Sequence, residues 1–226
     1  MSTPAANCPS CGAPVQFRWS GAVQIVCPFC HSILVRTDLD LQAAGKVADL
    51  PPDPSPIQLL TEGAWQNRQF QVTGRIIYEY EQGGWNEWHI VFSDGRSGWL
   101  SDAQLQYAVS FRADPGGAVP PAGSVYRGKT YTFQDTRFEV ATMTVARYKG
   151  VEGELPFPYH GPADEDSGVL FADLRTAGKS FGTLDYSETP PILFLGEWVE
   201  FEDLHLKNLR EFEGWSAPRG SSKESR

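Results

Sequence analysis

Four cysteines near the N-terminus constrain the fold of this chain more than any other feature. Cys8 and Cys11 form one C-x2-C pair, and Cys27 and Cys30 form a second pair fifteen residues further on. Two cysteines on one tight turn direct both sulfurs to one point, and two such turns surround a tetrahedral ion. The spacing therefore predicts a zinc ribbon over residues 1–37, with Zn2+ bound by all four cysteines.

The predicted ion has a structural role. Four thiolates close the coordination shell and leave no position for water or substrate. A unit this short has too little core to fold alone, so metal binding supplies its folding free energy. His31 follows Cys30 directly and is interpreted as a turn residue, with a role as a competing ligand as the alternative.

Two other uses of the cysteines are weighed against zinc. Two disulfides would suit a secreted module, but residues 1–7 have neither the charged nor the apolar region of a signal peptide. A redox C-x-x-C would need a βαβ pattern, which neither pair has around it. We therefore expect a cytoplasmic protein with reduced thiols.

Short strands account for the rest of the ribbon. Residues 15–19 alternate apolar and polar, residues 20–21 suggest a turn, and residues 22–26 lead back to the second cysteine pair. This pattern predicts a hairpin, to which residues 33–35 add a third strand.

Beyond the ribbon, the sequence predicts a mostly β protein. Residues 38–56 are acidic and rich in proline, which indicates a linker with a short helix over 39–48. Residues 57–206 alternate in the manner of strands and are broken by many of the 22 glycines and 17 prolines. The expected architecture is the ribbon plus an antiparallel β barrel or sandwich. Residues 207–226 are expected to be a tail, a short helix followed by disorder.

The β domain contains a weak internal sequence repeat, which predicts two related meanders over 57–112 and 122–206. Phe70-Gln71-Val72 has a counterpart in Phe138-Glu139-Val140, and 92–96 resemble 171–175. The two spacings differ, which predicts an insertion in the second half between Glu152 and Gly168.

Several segments together resemble a known bacterial family, the domain of unknown function DUF4178. They are the knuckle Cys8-Pro9-Ser10-Cys11-Gly12, then Phe70-Gln71-Val72-Thr73-Gly74-Arg75, Gly84-Trp85-Asn86-Glu87-Trp88, Asp94-Gly95 to Trp99-Leu100, Thr183-Leu184-Asp185-Tyr186 and Gly196-Glu197-Trp198-Val199. The resemblance implies an N-terminal zinc ribbon and no established activity. It also implies a neighbourhood of phage-shock-type membrane-stress and polyamine-synthase genes. His31 departs from the usual glycine after the second knuckle.

Charge restricts the partners of this chain. Its net charge is −9, from 28 acidic and 19 basic residues, whereas nucleic-acid binding depends on a basic surface. Its apolar runs are far below the roughly 18–20 residues that cross a bilayer, so no membrane span is expected. The acidic loop 152–166 is either a solvated loop or a contact for a cationic partner such as a polyamine.

Aromatic side chains are the candidates for partner binding. Trp85, Trp88 and Trp99 cluster along the chain, and Trp85 and Trp88 point to opposite sides of a regular strand. One of these two is expected in the core and the other as a contact anchor, although both could be core. In the tail, Phe212 and Trp215 are the candidates, for docking on the chain's own body or on a partner.

The sequence favours a non-catalytic interaction or adaptor protein with a protein partner. No cysteine is left as a nucleophile, and no phosphate loop, serine elbow or H-E-x-x-H motif occurs. One alternative is an enzyme of unknown type that uses His89 with Glu87 and nearby carboxylates, since residues 87 and 89 share a strand face. The other alternative is a nucleic-acid-binding ribbon.

Overall fold

The computed structural model describes residues 5–37, 41–47, 54–158 and 168–212. These residues form β-strands and two single turns of 3-10 helix, at Ala122–Ser124 and Phe201–Leu204. The strands are β1 Ala5–Asn7, β2 Pro14–Gln16, β3 Gln24–Val26, β4 Ser32–Arg36, β5 Leu41–Lys46, β6 Glu62–Trp65, β7 Arg68–Tyr80, β8 Gly83–Phe92, β9 Ser97–Ala103, β10 Gln106–Ala113, β11 Thr130–Phe133, β12 Thr136–Leu155, β13 Val169–Arg175, β14 Ser180–Asp185 and β15 Ile192–Val199. The predicted mostly β fold is confirmed.

Eight of these strands close into an antiparallel barrel. The meander β7–β10 and the meander β12–β15 are joined at both edges, because β10 pairs with β15 and β12 pairs with β7. Closure satisfies the backbone groups that an open sheet would leave at its edges.

The two meanders have matching strand registers at their start. In the first, Val72 pairs with Ile90 and a bulge follows before Gly74; in the second, Val140 pairs with Leu174 and a bulge follows before Thr142. The counterparts predicted at 70–72 and 138–140 therefore occupy equivalent places. The predicted match of 92–96 with 171–175 is wrong, because the register aligns Ile90 with Leu174. The additional residues of the second half lie between β12 and β13.

The ribbon differs from its predicted strand pairing. The predicted hairpin between 15–19 and 22–26 does not form, because β2 pairs with β1 and β3 pairs with β4. Each cysteine pair lies in the turn of its own hairpin. The turn predicted at residues 20–21 is present, with the Ala22 amide donating to the Trp19 carbonyl oxygen at 3.2 Å, but it connects the two hairpins. The predicted third strand is present as β4.

The linker also differs from the sequence prediction. Residues 41–46 form β5, which pairs with β4 from Ser32↔Lys46 to Arg36↔Leu41, so the helix expected over 39–48 does not form there. This part of the predicted linker belongs to the ribbon sheet. That sheet continues into the barrel through β3 and β12, with Ile25 paired to Glu154.

Apolar side chains form one cluster in the ribbon and three around the barrel sheet. One barrel cluster covers the face of Val72, Trp88 and Leu100 and includes Leu204 and Leu206 from beyond β15. Residues 207–212 contain no helix; they follow the barrel surface, where the Arg210 amide donates to the Pro56 carbonyl oxygen. This segment therefore docks on the chain's own body.

The described residues include no helix with the length and apolar character needed to cross a membrane.

Candidate metal centre and barrel interior

The four cysteine sulfurs converge on one point in the ribbon. All four lie within 4.8 Å of one another, and no other described group of three or more potential ligands is as compact. Cys8 Sγ and Cys30 Sγ are 3.7 Å apart, and Cys11 Sγ and Cys27 Sγ are 3.8 Å apart. Sulfurs about 2.3 Å from one tetrahedral ion lie about 3.8 Å from each other, whereas a disulfide needs about 2.05 Å. The sulfurs therefore fit a metal ion and are not cross-linked.

The two knuckles have the same backbone geometry. The Gly12 amide donates to the Cys8 carbonyl oxygen, and the His31 amide donates to the Cys27 carbonyl oxygen, at 2.8 and 3.0 Å. Gly12 and His31 have φ of +76° and +58°, so His31 takes the left-handed position that glycine fills in the first knuckle. His31 is outside the ligand group, which supports its interpretation as a turn residue.

The ribbon is attached to the barrel through a buried carboxylate. Glu154, at the end of β12, is only 3% exposed. Its Oε1 accepts from the Arg18 amide at 2.7 Å and its Oε2 accepts from the Trp19 amide at 3.0 Å. Burial raises the pKa of Glu154, while these two amides oppose that shift. The carboxylate therefore compensates two backbone donors that the ribbon loop would otherwise leave unpaired.

Backbone strands come unusually close beside this attachment. Gly153 has φ of +66°, and a Cβ placed there would lie 2.2 Å from the Thr73 carbonyl oxygen. Only glycine fits this position. The approach brings β7 and β12 together where the ribbon sheet joins the barrel.

His89 does not form the predicted catalytic pair. It is fully buried, its Nδ1 lies 2.8 Å from Thr73 Oγ1, and its ring packs 4.9 Å from that of Trp19. Burial lowers the pKa of His89 to about 4, so the ring is neutral. Glu87 instead accepts from Ser101 and Trp85. His89 therefore serves the contact between ribbon and barrel, and the predicted Glu87–His89 site is not assembled.

The tryptophans predicted as contact anchors lie mostly in the core. Trp88 is completely buried beneath the guanidinium of Arg75, and Trp99 is 9% exposed, so neither can anchor a partner. Trp85 is half-buried and stacks on Tyr78 with ring centroids 4.8 Å apart. The prediction that Trp85 and Trp88 face opposite sides is confirmed, since they belong to different clusters.

The tail candidates divide between described and undescribed residues. Phe212 is half-buried at the end of the segment that follows the barrel surface. Trp215 lies outside the described residues, as does the predicted disorder after it.

The acidic loop predicted over 152–166 begins as part of β12. Glu152 Oε2 accepts from Arg75 Nη1 at 3.0 Å, and Glu154 is committed to the ribbon amides. These two carboxylates therefore have partners within the protein, the Arg75 guanidinium for Glu152 and the two ribbon amides for Glu154. Residues 159–166 lie outside the described residues.

Sequence reasoning missed a cavity of about 660 Å³ in the barrel. All eight strands contribute to its lining, so it is the barrel interior. Glu87, Asp185 and Tyr78 face it, and burial raises the pKa of Glu87 to about 8. The signal in the sequence was Glu87, a carboxylate within the aromatic alternation of β8.

The comparisons with known proteins identify the barrel alone. The family model for a domain of unknown function, DUF4178, matches residues 60–201, which include all eight barrel strands. The match begins after the ribbon, so the cysteine centre lies outside it. No curated protein and no solved structure matches the chain. Because the model covers more than half of the chain, this protein belongs to the family defined by that domain of unknown function.

Proposed function

We propose that this protein is a non-catalytic adaptor in which a structural zinc ion shapes the ribbon and the barrel holds the ribbon in a fixed position for a protein partner. The carrying observation is the Glu154 carboxylate, which binds two ribbon amides while β12 extends the ribbon sheet. A freely tethered ribbon would not need a buried carboxylate to hold it.

Zinc is the metal that four thiolates in a tetrahedral arrangement favour, and all four ligands must stay reduced to bind it. We therefore place the protein in the cytoplasm, where thiols persist. The membrane-stress context implied by the family resemblance would supply its partner.

The second knuckle is the contact surface that we propose. Phe29, between Pro28 and Cys30, is 65% exposed, although a ring of this size is usually buried. A rigid metal knuckle presents such a side chain at little entropic cost, and aromatic anchors dominate protein–protein binding energy. The acidic net charge argues for a protein partner rather than nucleic acid.

Affinity capture from the native cell tests this proposal, with Phe29→Ser compared to Leu105→Ser. Leu105 is 83% exposed in the turn between β9 and β10 and is the matched control. We expect Phe29→Ser to keep its zinc and lose the partner that the parent protein and Leu105→Ser both retain.

A truncation of residues 213–226 separates the tail from the ribbon. It leaves Leu204 and Leu206 in the core, whereas a truncation of residues 204–226 would remove both side chains. Loss of the partner on truncation, together with its retention by Phe29→Ser, would overturn the assignment of the contact to the ribbon.

A further inference from the structure

The barrel interior has aromatic walls. Tyr78 lies at their centre, with its ring centroid 4.9 Å from Tyr148 and 5.0 Å from Phe171. Trp99 lines the same cavity from β9. Aromatic faces carry negative electrostatic potential and attract cations that lose their hydration.

Carboxylates lie among these rings. Glu87 and Asp185 line the cavity, and Glu188 lies at its exposed edge. Asp173 lies behind them, where its Oδ1 accepts from the lining residue Thr183 at 3.0 Å. Among the described lining residues the cationic side chain is Arg112, which is exposed. Among the described residues, the cavity therefore has several carboxyl groups and no buried cationic side chain in its lining.

Burial and mutual repulsion destabilise the charged forms of these carboxyl groups. Burial raises the pKa of Glu87 to about 8, and Asp173 and Asp185 add to the shift. Burial also raises the pKa of Asp173 to about 6. A cation in the cavity would relieve both effects.

The arrangement does not suit a bare metal ion. Among described residues, the cysteine group is the one set of three or more potential ligands within 4.8 Å of each other, so the cavity carboxylates are too dispersed to coordinate one ion. A volume of about 660 Å³ instead suits a small organic molecule.

We propose that the barrel interior binds a small organic cation, an ammonium with an apolar body. Its nitrogen lies between Glu87 and Asp185, and its body contacts Tyr78, Tyr148 and Phe171. This site is separate from the ribbon, so it goes beyond the adaptor role and does not depend on it.

Calorimetry on the full chain, with three probes of one shape, tests the proposal. The probes are 2-phenylethylammonium, the neutral 2-phenylethanol and the anionic phenylacetate. We expect the ammonium to bind at least about tenfold more tightly than the alcohol, a difference of about 1.4 kcal/mol, and the anion not to bind. Equal affinity for ammonium and alcohol, or no binding of the ammonium, would overturn the proposal without affecting the adaptor role.

Variants locate the site. Asp185→Asn and Glu87→Gln each preserve shape and are expected to weaken ammonium binding at least about fivefold. Asp94→Asn, on the exposed β8–β9 turn, is the matched control and should leave the affinity unchanged. If Asp185→Asn does not fold, Glu87→Gln and the probe comparison on the parent protein decide. An unchanged affinity in a folded Glu87→Gln variant would refute the assigned position.

Discussion

The ribbon and the barrel obtain their stability from different sources. The barrel has three apolar clusters and a closed ring of hydrogen-bonded strands, whereas the ribbon has one small cluster that includes Cys8 and Cys27. Ile33, on the other face of β4, packs with Val151 and Leu155 of the barrel. The ribbon therefore relies on two supports outside its own small core, the cysteine group, which is compact enough to hold a metal ion, and the barrel surface. The barrel is closed by the hydrogen bonds of its own strands.

Removal of a metal ligand should produce the largest effect and should affect only the ribbon. Cys27→Ser is expected to abolish metal binding, because an incomplete shell loses most of the roughly 10–16 kcal/mol that a structural zinc ion contributes. Hydrogen exchange should become fast in residues 5–37 and stay slow in the barrel strands. Metal analysis and exchange measurements provide the test.

The control for the ligand variant is His31→Gly, which preserves the left-handed turn and should keep about one equivalent of metal. Loss of metal in this control would instead make His31 a ligand. Slow exchange throughout the ribbon of Cys27→Ser would show that the ribbon does not require the ion.

The same Leu→Ala substitution should have different effects on stability in the barrel and in the ribbon. Leu184 and Leu34 are both completely buried, one in a barrel cluster and one in the ribbon cluster. Leu184→Ala should lower the free energy of global unfolding by about 2–5 kcal/mol. Leu34→Ala should leave that global value nearly unchanged and accelerate metal loss to a chelator. Identical losses of global stability would mean that the two regions unfold as one unit.

Weakening the attachment should be a smaller perturbation. Glu154→Gln replaces one carboxylate oxygen by an amide group that cannot accept, at a cost of about 1–3 kcal/mol. We expect faster hydrogen exchange at the Arg18 and Trp19 amides with the metal still bound. Glu139→Gln, in an exposed ion pair with Arg175, should change neither observable. Unchanged exchange at both amides of Glu154→Gln would contradict the role of Glu154.

The smallest expected effect is a pH dependence confined to the barrel. The pKa of Glu87 is about 8 when folded, above its ordinary value of 4.5, so its protonated form favours the folded state. This contribution is fully present below about pH 4.5 and is lost as the pH rises towards 8. Between pH 6 and 8, the free energy of unfolding should fall by about 1–2 kcal/mol less in Glu87→Gln than in the parent protein. Denaturation of both proteins across this range tests the prediction; parallel pH profiles would contradict it.

The predictions that the structure confirms depend on the spacing of residues that are close in the sequence. The two C-x2-C pairs specify which sulfurs meet, because each pair forms within one turn and the metal requires four ligands. Alternation in residues 57–206 predicts strands for the same reason, since it depends only on near neighbours. The predicted helix over 39–48 failed because the unpaired edge of β4 is filled by β5, a tertiary contact that outweighs weak helical propensity.

The sequence by itself determined the cysteine group that is able to hold a metal ion and the β character of this protein, both of which arise from short-range geometry. Tertiary structure alone decided which side chains face the cavity. Phe70 and Val72 pack on one face of β7, while Ile76 and Tyr78 face the barrel interior, although all four positions are even. The bulge between Val72 and Gly74 inverts the alternation, and a bulge forms only when a partner strand sets the register.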